Sequence, residues 1–374
     1  MANGFVPGLL LASKQVYTGA VDPSTKITPL GYLRMLLRRG MITNGNPNLV
    51  SASIENQGHI RNVTIKYKQR STAGKSVTTD DCSIQATPGY LEATIPSLLF
   101  RKNGTFISYD EIRKYENEAS QTVMVGRPAP PMGIMRELWD RVIDKGQGLL
   151  QDVDNDLLTA QAAAFGKNVT TGLNTAKTVN FPLSTASNPL AQGMTMLMTD
   201  IMDNEIPPTD VDIVGSGLIN NVYMQMNLNT QNTKDQNYPN MFPNLYWDWN
   251  TTSKWGANQF AVFQRDAVQF ININKWGGNF GGDKLSSWLF TLNLPLADSS
   301  NNNELSSFKF DAQLRHIDCP QEVEIDGVPT QVDRGWVLDL MANYNQFNIP
   351  TDAYNAADRL TGNNGTLRYT ATNA

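Results

Sequence analysis

A chain of 374 residues is long enough to bury a large core and to divide it over two or more domains. Its charged fraction, 17%, lies below the roughly 25% usual for soluble chains. The net charge of −5, with no basic block, argues against a dedicated DNA-binding domain, which needs a basic patch to neutralise phosphates.

Chain order begins with an irregular stretch, residues 1–58, read as an extended arm. Its one short amphipathic helix runs from Leu30 to Arg39, with Leu33, Leu36 and Leu37 on the apolar face and Gly40 ending it. "NGNPN" then signals a turn. From Ile60 the period changes to two: Val63, Ile65 and Tyr67 alternate with Asn62, Thr64, Lys66 and Lys68, as in a half-buried strand. "STAGKS" makes a turn and "VTTDDCSIQ" a return strand, so that a hairpin with a polar tip is expected.

"SYDEIRKYENEAS" reads as a short charged helix. Prolines 128, 130 and 131 mark the start of a longer one, since proline suits a first helical turn. Glu137 and Asp140 lie near that positive end. An apolar stripe runs through Ile134, Leu138, Val142, Leu149, Leu150, Val153 and Leu157 to Gln161, and predicts one helix over 132–165, roughly 50 Å long. Gly146 and Gly148 each cost it about 1 kcal/mol relative to alanine, and a bend is expected there.

Residues 168–190 read as a polar loop. Leu190, Met194, Leu197 and Ile201 then follow at helical spacing. "VDIV" is a buried strand, Gly215-Ser216-Gly217 a turn, and Leu218 to Met226 a helix. A polar loop of nearly 20 residues leads to further strands in "QFAVFQRDAVQFININKW", "KLSSWLFTLNLPLA", "FKFDAQLRHIDCPQEVEIDG" and "DRGWVLDLMANYNQFNIP". The fold class expected is α+β.

Four motifs invite chemical readings. "GSGLIN" lacks the third small residue of a dinucleotide fingerprint, because Asn220 stands there, and no second strand is evident in the loop that follows. "GGNFGGDKLSS" lacks the Gly-Lys-Ser/Thr end of a phosphate loop. Asp152, Asp154 and Asp156 have calcium-loop spacing, but Leu157 and Ala163 stand where glycine and glutamate are required, so the three read as a solvated helix face. His59 and His316 are the only histidines, and His316 with Cys319 supplies two ligands where zinc needs more. No catalytic residue, cofactor site or metal site is assigned. Cys82 and Cys319 are far apart and expected as reduced thiols. The N-terminus has only a short apolar run and no basic region before it, unlike a signal peptide, and no segment reaches the ~18 apolar residues of a membrane span. Trp247, Trp249, Trp255, Trp276, Trp288 and Trp336 cluster late and are read as packing or subunit contacts, with base or sugar stacking as the alternative.

Taken together, the order of elements resembles the major capsid protein of tailed bacteriophages, the Hong Kong 97-type fold. The stretches that carry the resemblance are "VDIVGSGLINNVYMQ", "WGANQFAVFQRDAVQFI" and the long helix beginning "PPMGIMRELWDRV". The resemblance implies an N-terminal arm over 1–58, an extended hairpin loop over 59–100 and a peripheral domain with a spine helix over 101–189. An axial domain over 190–325 and a return to the peripheral domain over 326–374 complete it.

The function implied is non-enzymatic: copies tile an icosahedral head around double-stranded DNA. The partners implied are the chain itself in hexamers and pentamers, a separate scaffolding protein, portal and decoration proteins, and DNA on the inner face, with no membrane. The location implied is the virion, after assembly in the host cytoplasm. Confining DNA in a container needs no basic patch. A surface poor in long charged side chains and rich in asparagine suits contact with copies of itself, although an asparagine-rich source organism would give the same composition. Lys66, Lys68, Arg70 and Lys75 on the hairpin, with Glu137, Asp140 and Arg141 on the spine, are the expected inter-subunit contacts. Some members of the family cross-link Lys to Asn between subunits; Lys66, Lys68 and Lys75 lie on the hairpin, and the sequence singles out no acceptor. Another virion component, in tail or decoration, and an enzyme binding a nucleotide or sugar in the Trp-rich half are the alternatives.

Overall fold

The computed structural model describes residues 30–39, 49–57, 60–68, 90–95, 98–111, 132–181, 189–222, 244–265, 267–274, 281–282, 287–295, 307–325, 327–351 and 360–372. In chain order they form helix α1 (Gly31–Arg39), strands β1 (Leu49–Gln57), β2 (Ile60–Lys68), β3 (Tyr90–Ile95) and β4 (Leu99–Ser108), and helix α2 (Met132–Ala163). The short pair β5 (Lys167–Asn168) and β6 (Gly172–Leu173) follows, then β7 (Lys177–Asn180), helix α3 (Pro189–Asp203) and β8 (Val211–Gly215). Next come β9 (Leu245–Trp247), helix α4 (Thr251–Lys254), β10 (Gln259–Gln264), β11 (Val268–Asn272), β12 (Gly281–Gly282), β13 (Ser287–Pro295) and β14 (Ser307–Ile317). The chain closes with β15 (Gln321–Ile325), β16 (Val328–Val332), β17 (Gly335–Asn348) and β18 (Thr366–Thr372). The fold class is α+β. No helix among the described residues is long and apolar enough to cross a membrane.

The chain divides into two compact units. One takes Met1–Thr28, Leu99–Val153 and Asn272–Tyr344, the other Pro29–Leu98, Asp154–Ile271 and Asn345–Ala374. The division falls inside α2, after Val153, and inside β17, after Tyr344.

In the first unit β4, β17, β14, β13 and β12 lie side by side in that order, and every pairing is antiparallel. β17 has β14 on one side and β4 on the other, and it is buried along Gly335 to Leu340. The β15–β16 hairpin seats Val323 and Val332 against Ile317 and Val337. Val142, Ile143, Leu149, Leu150 and Val153 of α2 are buried at the spacing that the sequence stripe set. Gly146 gives α2 close approach, since a Cβ there would overlap the Leu294 side chain. α2 continues through both glycines, and packing against Leu294 accounts for Gly146.

The second unit holds a five-stranded mixed sheet in the order β7-β18-β10-β8-β9, antiparallel in the middle and parallel at both margins. Its core joins Met194, Leu197 and Ile201 of α3 to Val211, Ile213, Phe260, Val262, Leu367 and Tyr369. Each such side chain contributes about 1.5–3 kcal/mol on burial. A second sheet, β1-β2-β3, is antiparallel throughout. Val63, Ile65 and Tyr67 are buried there while Lys66 is exposed, as their alternation requires, and the Tyr67 ring lies 5.9 Å from that of Phe347.

Several expectations change. The arm was expected to be irregular to residue 58, yet Leu49–Gln57 pairs with β2, Ile54 opposite Val63 and Ala52 opposite Ile65. The return strand expected in "VTTDDCSIQ" lies outside the described residues, and β2 pairs with β1 and β3. β13 and β14 pair with each other, and β14 with β17, within the first unit. β18 pairs with β10 and β7 in the sheet of β8. Strand partners are chosen over long sequence separations, which local periodicity does not encode.

The turn at Gly215 also differs. Residues 217–222 are helical as expected, but β9 lies parallel to β8, with Ile213 opposite Leu245. A second strand therefore exists, only three residues long. Gly215 is needed for packing, since a Cβ there would lie 2.6 Å from both Phe260 Cβ and Ile219 Cγ2, whereas Gly217 faces open space.

Candidate functional site

The expected contact residues begin on β2. Lys66 Nζ lies 2.8 Å from Glu92 Oε1, directly opposite on β3, and both side chains are about half exposed. An ion pair in this setting contributes about 0–1 kcal/mol and exchanges readily for another partner. Lys68 is the last residue of β2, while Arg70 and Lys75 lie outside the described residues. Glu137 and Asp140 lie on the first turns of α2, with side chains outside the described set.

Arg141 is held within the first unit. Its Nη2 donates to Glu111 Oε1 (2.8 Å) and its Nη1 to Glu111 Oε2 (3.3 Å), a two-pronged pair. Glu111 also closes a capping box: its carboxylate accepts Ser108 N–H at 3.0 Å while Ser108 Oγ accepts Glu111 N–H at 3.2 Å. The hydrogen bond from Arg141 holds the Glu111 carboxyl below its ordinary range, against a smaller opposing effect of burial. This contribution is present at neutral pH and is lost as pH falls through the lowered value. "SYDE" carried the capping-box signal in sequence.

His316 is likewise engaged. Its Nδ1 lies 2.9 Å from Asp318 Oδ1 and its Nε2 2.6 Å from the Tyr109 hydroxyl, with the Trp336 ring centroid 4.5 Å away. Cys319 is exposed and free. Among the described residues no group of three or more His, Cys, Asp and Glu side chains could hold a metal ion. The tryptophans divide: Trp255 and Trp336 are buried, and Trp255 Nε1 donates to Leu158 O at 3.1 Å, while Trp247 and Trp249 are exposed.

Two buried polar clusters in the second unit escaped the sequence reading. In the first, Asp200 accepts from Lys177 Nζ, from Asn168 Nδ2 at 2.6 Å, from Thr170 Oγ1 at 3.1 Å and from the Tyr369 hydroxyl at 2.8 Å. Burial, and then the Asp200 charge, push the Tyr369 phenol well above its ordinary value. Asn204 extends the network to Asn168 and Asn363.

The second cluster corrects a specific expectation. Asp154, expected on a solvated face with Asp152 and Asp156, is fully buried. Its Oδ1 accepts Leu33 N–H at 3.1 Å and its Oδ2 accepts from Asn250 Nδ2 at 3.1 Å. Asp248, also fully buried, accepts Tyr32 N–H on Oδ2 at 2.9 Å and Asn250 N–H on Oδ1 at 2.8 Å. The Tyr32 hydroxyl faces Gln346 Oε1 (2.8 Å) and Gln161 Oε1 (3.1 Å). A phenol has one proton, so one of these amides is satisfied by turning its N–H toward the phenol oxygen. Gln161, the polar end of the α2 stripe, is thereby accounted for.

Together these features define an α+β chain in two units, with Lys66 and Glu92 exposed on β2 and β3 and the buried carboxyls of Asp154, Asp200 and Asp248 engaged in internal hydrogen bonds. No protein-family model matches the sequence, and no curated protein matches it. Among solved structures it is similar to a chain of the cyanophage A-1(L) capsid asymmetric unit, with TM-score 0.44 and 10% identity over 94% of each chain. It is also similar to the capsid of cyanophage P-SCSP1u (TM-score 0.41, 12% identity, 86% of this chain and 85% of that one). A third is the virus-like particle from Pyrococcus furiosus (TM-score 0.35, 7% identity, 82% of this chain and 85% of that one).

Proposed function

We propose that this chain is the major capsid protein of a tailed bacteriophage, a non-enzymatic protein whose copies build an icosahedral head around double-stranded DNA. The observation that carries the reading is the order of its elements. A three-stranded sheet, β1-β2-β3, that exposes Lys66 and Glu92 precedes a 32-residue helix, and a helix-flanked mixed sheet follows. This is the order that the sequence resemblance implies.

In this reading residues 1–58 include the arm, 59–100 the extended loop, 101–189 the spine region, 190–325 the axial part and 326–374 the return. The partners are other copies in hexamers and pentamers, a scaffolding protein, portal and decoration proteins, and DNA on the inner face. The chain assembles in the host cytoplasm and ends in the virion. Arms and hairpins reaching over neighbours give each subunit several interfaces, so weak contacts sum.

Lys66, Lys68, Arg70 and Lys75, with Glu137, Asp140 and Arg141, are the proposed contacts. Lys66 is the clearest of them, because its exposed pair with Glu92 costs little to exchange for a partner's carboxylate. Charge reversal at Lys66 and Lys68 is expected to slow assembly, measured by light scattering, while thermal stability of the subunit changes by no more than about 1 kcal/mol. Assembly at the wild-type rate would remove these residues from the interface. The alternative from another class is an enzyme binding a nucleotide or sugar near the exposed Trp247 and Trp249. It requires a discrete small oligomer on size exclusion and a ligand-dependent thermal shift.

A further inference from the structure

We propose that Asp154 and Asp248 form a proton-sharing latch that holds helix α1 in place at low pH and releases it as the pH rises. The geometry is specific to the first turn of α1. The N–H groups there have no partner within the helix, and two carboxyls brought from distant parts of the chain receive them. Asp248 takes Tyr32 N–H at 2.9 Å and also Gly31 N–H, and Asp154 takes Leu33 N–H at 3.1 Å. Asn250 ties the two acids together, its backbone N–H on Asp248 and its side-chain amide on Asp154. Asn250 thereby sets the two carboxyls beside each other, and both are fully buried. Two like charges so placed, away from water, disfavour double ionisation, so a proton is retained on the pair.

The groups packed around the pair leave it little compensation. Every donor named above is neutral, and the charge that Asp154 meets most strongly is that of Asp248. From α1, the Tyr32 phenol turns to Gln161 and Gln346, and it too is pushed well up, by burial first and then by Asp154. Arg34 lies over the Tyr246 ring at 5.7 Å from its centroid, and Arg38 donates to the Tyr246 hydroxyl at 3.4 Å. Burial is the first cause that raises both acids, and the Asp248 charge adds to it for Asp154. An acid raised in the docked state favours docking fully below its ordinary range. That contribution disappears as pH rises through the raised value. Between the two values docking weakens about tenfold per pH unit.

Hydrogen exchange read by mass spectrometry on the full-length chain tests this, from about pH 5 to about pH 9, with intrinsic exchange rates divided out. Peptides covering Gly31–Arg39 are expected to lose protection by about tenfold or more across that range, while peptides covering β10 keep theirs. Asp154→Asn leaves one carboxylate with neutral donors and is expected to flatten the dependence and retain protection at the alkaline end. Asp248→Asn removes the like charge but not the burial of Asp154, and a reduced but still present dependence is expected. A wild-type profile for α1 that does not change with pH overturns the latch, whatever the variants do. So does an Asp154→Asn profile with the wild-type slope.

Discussion

Replacing Asp200 by alanine is expected to cost the chain about 3–5 kcal/mol of folding stability. The carboxylate is 1% exposed and receives Lys177, Asn168, Thr170 and Tyr369. Alanine leaves the Asn168 amide and the Tyr369 hydroxyl buried without an acceptor, at about 1–3 kcal/mol each. Lys177 is 29% exposed in its side chain and regains water, so its loss adds little. Asp200→Asn keeps the shape but turns an N–H toward these donors, and an intermediate loss is expected. Urea unfolding followed by tryptophan fluorescence reads both. A loss under about 1 kcal/mol for the alanine variant would mean that the network is not formed.

Gly31→Ala is expected to destabilise the docking of α1 by about 2–3 kcal/mol, against the sign that helix propensity predicts. Alanine is the better helix former by about 1 kcal/mol. At this position, however, a Cβ would overlap the Trp247 carbonyl and lie 2.6 Å from its carbon, and both atoms are backbone that cannot rotate away. Leu30 bridges Asp248 immediately before, so the contact with β9 has no slack on that side. Increased exchange of α1 amides, with a lower unfolding midpoint, is the expected readout. An unchanged or raised midpoint would show that α1 does not dock as described.

Period and spacing made the local elements legible. Val63, Ile65 and Tyr67 announced β2, and the stripe from Val142 to Gln161 announced α2. β1 was legible too, since Val50, Ala52 and Ile54 alternate, but the turn signal "NGNPN" just before it led to an arm. β9 has three residues, too few for any period to register. The buried acids were not legible at all. "DVDND" has the composition of a solvated face, and only contacts such as Tyr32 N–H to Asp248, 216 positions apart, make burial of Asp154 and Asp248 tolerable. Lys66 and Arg141 pair with Glu92 and Glu111 of the same chain, partners that the sequence did not announce. A sequence shows that a cation is exposed and does not show which carboxylate reaches it first.

The central claim, that copies of this chain build a shell, is tested most directly by negative-stain imaging of the purified full-length chain at high concentration, with size exclusion on the same sample. Rings of five and six subunits, or closed particles of uniform diameter, are the predicted result. A population that stays as single chains or one small oligomer under every condition, with a thermal midpoint that rises on adding a nucleotide or sugar, would contradict it.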